Sequence, residues 1–203
     1  MSSEEHENRM RRHFDRRAAG YAGVFSRGPL GILRWIERRP IFELLEPRTG
    51  GAILDAGCGV GLDAKRLGNL GCLVDGIDLS PEMVERARQS GISAEVGDLQ
   101  QLELGRRYDK ILCAGPLEFC ADPERVIERL ALHLEPGGRL VILFPTSARG
   151  GRLYRFYYRT RGVEARLFEI EEMIAIVKNA GLVVRAIRQP LSFSAVIAAD
   201  KPR

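Results

Sequence analysis

The stretch Ile53-Leu54-Asp55-Ala56-Gly57-Cys58-Gly59-Val60-Gly61-Leu62 sets the frame for this chain. Two apolar residues lead into an acid, glycines follow at 57, 59 and 61, and apolar and polar residues then alternate. The pattern predicts a buried strand turning sharply into a helix. Glycine is needed in such a turn because the backbone takes angles that a Cβ forbids, and because a ligand must come close to the main chain. In open α/β sheets this junction is where nucleotides bind. A dinucleotide fingerprint counted from Gly57 and Gly59 needs its third glycine at 62, where Leu62 stands, and the lysine of a Walker loop is absent. What remains is Asp55-x-Gly57-x-Gly59-x-Gly61, with the acid two residues before the first glycine; a tight turn without a ligand is the alternative.

From Ile53 onward strand and helix patterns alternate, which implies a parallel sheet covered on both faces. Cys72 to Ile77 reads as the second strand, ending at Asp78, which follows Asp55 by 23 residues. An acid at that distance from the glycine turn suits the hydroxyls of a ribose, since a carboxylate accepts from both. Ser80-Pro81 reads as a helix cap followed by proline at the first helical position. Ile92 to Val96 is the third strand and Tyr108 to Ala114 the fourth. Asp122-Pro123 caps a helix running to about Leu134, with His133 on its surface. Glu135-Pro136-Gly137-Gly138 turns into a fifth strand, Arg139 to Phe144. A helix over Phe168 to Ala180, with Ile170, Met173, Ile174 and Val177 inward, ends at Gly181. Val183 to Ile187 and Phe193 to Ala198 close the sheet as strands joined through Gln189-Pro190.

Ahead of this core, after a polar, mobile start over Met1 to Asn8, Glu7 to Tyr21 has helical composition, with Met10, Phe14 and Ala18 on one face. Gly28-Pro29 restarts the chain. The apolar stripe from Leu30 to Leu45 is interrupted at Pro40, so two short helices are expected with Pro40 opening the second, and Trp35 is expected in the core. Between Pro145 and Val163 the alternation lapses into arginines and aromatics. There Leu153, Phe156 and Tyr157 share a helical face, beside one carrying Arg152, Arg155 and Arg159. Such a helix would suit a pocket mouth or an anionic bilayer with its aromatics at the interface; a solvated basic turn is the alternative.

At 203 residues with 45% hydrophobic content the chain is long enough for one domain and its core. The formal charge of +4 is compatible with an anionic substrate, a membrane surface or RNA and selects none of them. Cysteines at 58, 72, 113 and 120 show no Cys-x-x-Cys spacing and read as core-filling thiols of a reducing cytosol; no metal site is expected. The first residues lack a basic-then-apolar leader and no apolar run reaches membrane-spanning length, so the expected location is cytoplasmic.

The Asp55 to Gly61 pattern resembles the first motif of the class I S-adenosylmethionine-dependent methyltransferases, and three more stretches resemble later motifs of that family in the right order. These are Gly76-Ile-Asp-Leu-Ser-Pro-Glu-Met83, Gly97-Asp98-Leu99, and Leu134-x-Pro136-Gly137-Gly138-x-Leu140-x-Ile142. Phe14-Asp15-x-x-Ala18-x-x-Tyr21 is similar to a lid segment of quinone-type C-methyltransferases, in which the tyrosine faces cofactor or substrate. The resemblance implies a Rossmann-like, doubly wound, seven-stranded and mostly parallel sheet with an antiparallel last strand and extra N-terminal helices. It implies one methyltransferase domain over 1–203: a helical lid over 1–50, a cofactor-binding core over 51–145, a substrate-side insertion over 146–165, and a closing helix and hairpin over 166–203.

The same resemblance implies S-adenosylmethionine as cofactor. Asp55, Gly57, Cys58, Gly59 and Gly61 would sit at its methionine end, Asp78 on the ribose, Leu79, Met83 and Leu99 beside the adenine, Asp98 on the adenine amino group, and Ala114 next to the reacting centre. The implied activity is methyl transfer to a small, lipophilic acceptor such as a quinone precursor or lipid, by in-line displacement. Ala114-Gly115-Pro116-Leu117 lacks the Asn- or Asp-Pro-Pro-Tyr pattern of enzymes that methylate DNA bases, so DNA is not an expected partner. The alternatives are an RNA or protein methyltransferase, a non-catalytic cofactor-binding regulator, and arsenic methylation through the cysteines. No catalytic side chain is forced by the chemistry; His13, Tyr21 and Glu118 are the candidates, with Glu118 read either as a general base or as a surface charge flanking a helix. Oligomeric state is left open.

Overall fold

In the computed structural model, which describes residues 3–26 and 28–203, seven strands pair in the order β3-β2-β1-β4-β5-β7-β6. They are β1 (Ala52–Ala56), β2 (Leu73–Asp78), β3 (Ser93–Val96), β4 (Tyr108–Ala114), β5 (Leu134–Pro145), β6 (Val183–Leu191) and β7 (Ser194–Asp200). All are parallel except β7, which runs antiparallel between β5 and β6, so the expected fold class holds. Among the described residues seven α-helices accompany the sheet: α1 (Ser3–Ser26), α2 (Gly28–Leu45), α3 (Leu62–Asn69), α4 (Pro81–Gln89), α5 (Pro123–Leu132), α6 (Arg149–Arg159) and α7 (Ile170–Asn179).

The period-2 alternation of the central strands sorts the core into two layers. Ile53, Leu112 and Val141 point to one face, where Ile41 and Leu45 of α2 and Leu67 of α3 cover them. Leu54, Ile111, Leu140 and Ile142 point to the other, under Val126, Ile127 and Leu130 of α5 and Met173, Ile176 and Val177 of α7. The register aligns the strand ends: Ala56 stands beside Ile77 and Cys113, Asp78 beside Val96, Ala114 beside Leu143, and Pro145 beside Ser194. One edge of the sheet therefore gathers the residues that follow β1 to β5, together with the first residue of β7.

Several local expectations give way to tertiary packing. The N-terminal helix begins at Ser3 and runs to Ser26, beyond the expected Glu7 to Tyr21, while Met1 and Ser2 lie outside the described residues. Residues 28 to 45 form a single helix with Pro40 inside it, not two. Proline removes one helical hydrogen bond, but the turns on either side are anchored: Arg38 Nε donates to Asp63 Oδ1 at 2.5 Å, and Ile41 and Leu45 are fully buried. Because α2 turns Leu33, Arg34, Glu37 and Ile41 inward, Trp35 is left 63% exposed and is not core; the side chain of Leu30 lies outside the described residues.

The Glu135 to Gly138 turn persists, but within β5. Tyr108 pairs with Leu134 and Lys110 already with Arg139, so the four residues bulge out with Gly137 at φ 79°. Pro190 does not join β6 to β7. It lies in β6, the edge strand, next to a register shift where a missing N–H costs no ladder bond, and Ser192-Phe193 makes the turn. His133 is buried, not on the surface. The Leu104 amide donates to its Nε2 at 2.8 Å, which leaves Nδ1–H to donate to the Arg129 carbonyl at 2.7 Å, so the imidazole ties the chain before β4 to the end of α5.

Candidate functional site

A cavity of about 410 Å³ opens along the edge where the strands end. Its floor is made by the turn after β1, by Asp78 and Leu79 after β2, by Asp98 and Leu99 after β3, and by Ala114 to Pro116 after β4. The roof comes from α1, α2 and α6, which contribute Met10, Phe14, Tyr21, Leu33, Arg34 and Tyr154 among others. Hydrogen bonds fasten helix α1 across it. His6 Nε2 meets the Phe119 carbonyl at 2.7 Å, Gln100 donates to Glu7 at 3.1 Å, Ser80 Oγ donates to Asp15 at 2.5 Å, and Arg17 donates to the Tyr157 hydroxyl at 3.2 Å.

The glycine turn is pinned by the amides of Gly57 and Cys58, which both donate to the Ile77 carbonyl at 2.8 and 3.0 Å. Its three glycines do different work. A Cβ on Gly57 would stand 2.7 Å from Pro116, so this position lets the turn lie against the end of β4. At Gly59, with φ +53°, the nearest atom to a Cβ would be Tyr21 Cε1 at 3.8 Å: the space in front of this backbone is cavity. Gly61 faces away, and a Cβ there would meet Ile92 and Ala87 at 3.0 and 3.2 Å, so it serves the packing of α3 beside α4 and does not line the cavity.

The acids at the strand ends are held by main-chain donors. Asp78 Oδ2 accepts from the Gly59 amide at 2.8 Å and Oδ1 from the Ser80 amide at 2.9 Å. Burial raises its pKa against the pull of those two amides. Ser80 in turn caps α4 by accepting from the Met83 amide at 3.2 Å, with Pro81 in the first turn, and this brings Met83 to the cavity wall. Asp98 caps a short 3-10 turn (Leu99–Gln101) through the Gln100 amide at 3.0 Å. Asp55 lies deeper. With Cys58 it lines a small side chamber under the glycine turn, which Arg34, Arg38 and Asp63 share, and it does not border the main cavity. Burial first, and then the charge of Asp63, push its carboxyl up to about 8, with Oδ2 unpartnered. Cys58 is a packing thiol: its Sγ would stand 2.7 Å from a Cβ on Gly76, and burial raises its pKa.

The opposite wall contains groups that sequence reading misplaced or missed. Glu118 is not a surface charge; it is 4% exposed and lines the cavity. It sits in a 3-10 turn (Leu117–Phe119), whose three residues per turn send successive side chains to different faces. Leu117 enters the sheet core, Phe119 joins an aromatic cluster with Phe14 and Tyr158, and Glu118 is left facing the cavity. Tyr154 donates to Glu118 Oε1 at 2.8 Å, and burial pushes the carboxyl up to about 8. Arg34 donates to the Ala114 carbonyl at 3.2 Å and lies 3.5 Å from Asp63 Oδ2. Tyr21 lines the cavity. His13 does not: it is buried on Phe14 at a 5.2 Å ring separation and accepts from Arg17 at 3.3 Å. Burial and the charges of Arg17, Arg16 and Arg161 lower its pKa to about 4.

Helix α6 replaces the irregular basic insertion, and its inward face is not the expected one. Gly151 and Tyr158 are buried and Tyr154 and Tyr157 line the cavity, whereas Phe156 points out; Leu153 stands at the cavity rim, 72% exposed. Gly150 and Gly151 permit this docking, since Cβ atoms there would meet Phe193 at 2.9 Å and the Thr146 carbonyl far inside contact distance. Among the described residues no group of three or more His, Cys, Asp and Glu side chains gathers as a metal site would require, and no helix is long and apolar enough to cross a membrane.

Residues 54–142 match the family described as Methyltransferase domain. The chain is 36% identical over 123 residues to a ubiquinone biosynthesis O-methyltransferase of Xanthomonas axonopodis pv. citri, an alignment covering 56% of this chain and 51% of that protein. It spans about half the length of the curated relatives it matches. In fold it is similar to magnesium protoporphyrin IX methyltransferase of Synechocystis PCC 6803 with bound S-adenosylhomocysteine, with a TM-score of 0.78 at 20% identity over 97% of this chain and 99% of that one. It is also similar to the [4+2]-cyclase SpnF, with a TM-score of 0.69 at 18% identity over 83% and 80% of the two chains, so the fold by itself does not dictate the reaction. The match to the methyltransferase domain falls on the strands that carry the glycine turn and the two acids, within a sheet whose fold is that of solved methyltransferases.

Proposed function

We propose that the protein transfers the methyl group of S-adenosylmethionine to a small, lipophilic acceptor bound in the cavity. The observation that carries this reading is that the open space in front of the Gly59 backbone is the same cavity that Asp78 and Asp98 border. The residues present fit the cofactor. Asp78 has carboxylate lone pairs left for ribose hydroxyls, Leu79, Met83 and Leu99 supply apolar walls for the adenine, and Asp98 accepts from its amino group. The Gly57 to Gly59 backbone and the Ala114 end of β4 border the methionine end. Asp55 acts from beneath, where a nearby ammonium would draw its raised pKa down and restore the carboxylate. Cys58 and Gly61 hold the turn in shape. Arg34, which borders both chambers, supplies a cation for a carboxylate.

When bound, the cofactor supplies a methyl group already activated as a sulfonium. The chain then has to place the acceptor atom in line with it and keep water away, which α1, α2 and α6 do by roofing the cavity. The apolar walls and the relatives named for ubiquinone biosynthesis favour a lipophilic acceptor over RNA or a protein tail. The outer face of α6 supports delivery from a bilayer: Leu153 and Phe156 are exposed beside Arg152, Arg155 and Arg159. Three cations at an anionic surface contribute about 1 kcal/mol each, so converting all three to glutamate should abolish co-sedimentation with anionic liposomes at moderate salt. Unchanged sedimentation removes the membrane part of the reading. The transfer itself is tested by an acceptor screen that detects S-adenosylhomocysteine release. Cofactor binding without turnover on any lipophilic hydroxyl, amine or activated carbon would favour a non-transferring role, and binding to RNA that falls steeply with salt would favour a nucleic-acid substrate.

A further inference from the structure

Glu118 and Glu37 both line the cavity, but they differ in access. Glu118 is closed off, with Oε1 taken by the Tyr154 hydroxyl and Oε2 sealed in. Glu37 enters from α2, one turn along from Arg34, and its side chain remains 12% exposed on the cavity wall. Arg34 donates to the Ala114 carbonyl at 3.2 Å, at the end of β4. Its Nη1 stands 3.7 Å from Glu37 Oε2, an ion pair too long for a hydrogen bond. Glu37 itself lies beside Ser194, the first residue of β7, and β7 is separated from β4 by β5. Along α2 the cavity therefore runs from Arg34, offered to the cofactor's carboxylate, to Glu37 on the side away from it.

The walls at that end are apolar, with Leu33, Leu143, Phe144, Pro145 and Phe193 lining the space. Burial raises the Glu37 pKa against the pull of Arg34, Ser194 and Arg38. A carboxylate that gives up water to an apolar ligand loses hydrogen bonds that nothing restores, so the ligand that suits it returns one. Its oxygens only accept, which calls for an O–H or N–H on the ligand. Arg34 and Arg38, both close enough to act on Glu37, oppose a further cation. An uncharged hydroxyl on an apolar body meets all of these conditions.

We propose that Glu37 determines acceptor specificity by accepting a hydrogen bond from an uncharged hydroxyl on an otherwise apolar acceptor, at a point away from the methylated atom. The proposal rests on the methyl-transfer reading and narrows its acceptor to a molecule with a hydrogen-bond donor besides its nucleophile. Glu37 takes up no proton and enters no bond change; it selects what binds and fixes how it lies.

The test uses a pair of probes with one skeleton, 1-phenylethanol, which donates, and acetophenone, which only accepts. Each is titrated at about pH 8 into the whole chain saturated with S-adenosylhomocysteine, and binding is read by ligand-observed magnetic resonance. Wild type should prefer the alcohol by about tenfold or more, because a site built for a donor rejects the analogue without one. Glu37→Gln presents an amide that can donate to the ketone, so the preference should fall below about threefold, with S-adenosylhomocysteine affinity within about threefold of wild type. The ammonium probe 1-phenylethylamine should bind wild type no more tightly than the alcohol does. Equal or undetectable binding of alcohol and ketone by wild type overturns the proposal without recourse to any variant, and so does a preference that survives Glu37→Gln. Tighter binding of the amine overturns the uncharged class. Loss of S-adenosylhomocysteine binding in Glu37→Gln makes the residue structural and overturns the proposal too. Failure of wild type to bind S-adenosylhomocysteine overturns the methyl-transfer reading itself.

Discussion

The two ends of the cavity are built by different means. At the β1 to β3 end the contacts come from backbone turns and from acids at or just beyond the end of a strand, so each contributing stretch is short and continuous: 55–61, 76–83 and 97–99. At the β4 to α6 end the contacts are side chains drawn from α2, the turn after β4, α6 and the β6 to β7 turn, as far apart in sequence as Arg34 and Phe193. The first end constrains its residues through φ angles and main-chain hydrogen bonds, the second through burial and hydrogen bonds made by side chains. Substitutions should separate them accordingly.

The largest expected effect is on folding at the seam between the two ends. Gly57→Ala puts a Cβ 2.7 Å from Pro116 at a φ of +79°, so left-handed strain and overpacking add to about 2 to 5 kcal/mol of destabilisation in urea unfolding. Gly59→Val carries left-handed strain of about 1 to 2 kcal/mol at its φ of +53° but meets no clash at its Cβ. It should weaken cofactor binding at least about a hundredfold, near 2.8 kcal/mol, with helical circular dichroism retained. If Gly59→Val unfolds while Gly57→Ala is tolerated, the division of labour within the turn is wrong.

A smaller effect distinguishes the second end by pH. Glu118 is raised from its ordinary value of 4.5 to about 8 in the folded protein. Between those limits the native state holds a proton that the unfolded chain has released, so stability falls as pH rises, at about 1.4 kcal/mol per unit while the difference lasts. Glu118→Gln should flatten the stability profile between about pH 5 and pH 8 and be the more stable protein at the upper limit. Asp55 shares the same direction, so a residual slope should remain in that variant. An unchanged slope would mean that Glu118 reaches water. The smallest effect belongs to the outside of α6, where converting Arg152, Arg155 and Arg159 to glutamate should leave cofactor affinity within about twofold, since all three are exposed.

The same contrast explains what could be read from the chain in advance. The succession of strands and helices, the Ser80 cap and the acids at 78 and 98 are local patterns of residues adjacent in sequence, whereas the antiparallel last strand was legible only through the resemblance to the methyltransferase family. Glu118 was indistinguishable from a solvated acid, since a single polar residue between Leu117 and Phe119 in a 3-10 turn carries no periodicity. Tyr154 was hidden because the outward Leu153 and Phe156 are as apolar as the buried face. The usable signal was Gly150-Gly151, which marks the side of α6 that comes close to another backbone. Arg34 and Pro40 show the limit from the other direction. Arg34 carried no signal of its own in the sequence, and Pro40 read as a helix break; the ion pairs of Arg34 and Arg38 to Asp63 and the burial of Ile41 set both places.

The cofactor end is tested most directly by calorimetric titration of S-adenosylmethionine into wild type and Asp78→Ala. Removing the carboxylate that sits between the Gly59 and Ser80 amides should cost about 1.5 to 3 kcal/mol of binding through lost charge-assisted hydrogen bonds, roughly ten- to a hundredfold in affinity. Equal affinity in the two proteins, or no binding by wild type, would contradict the assignment of this cavity to the cofactor.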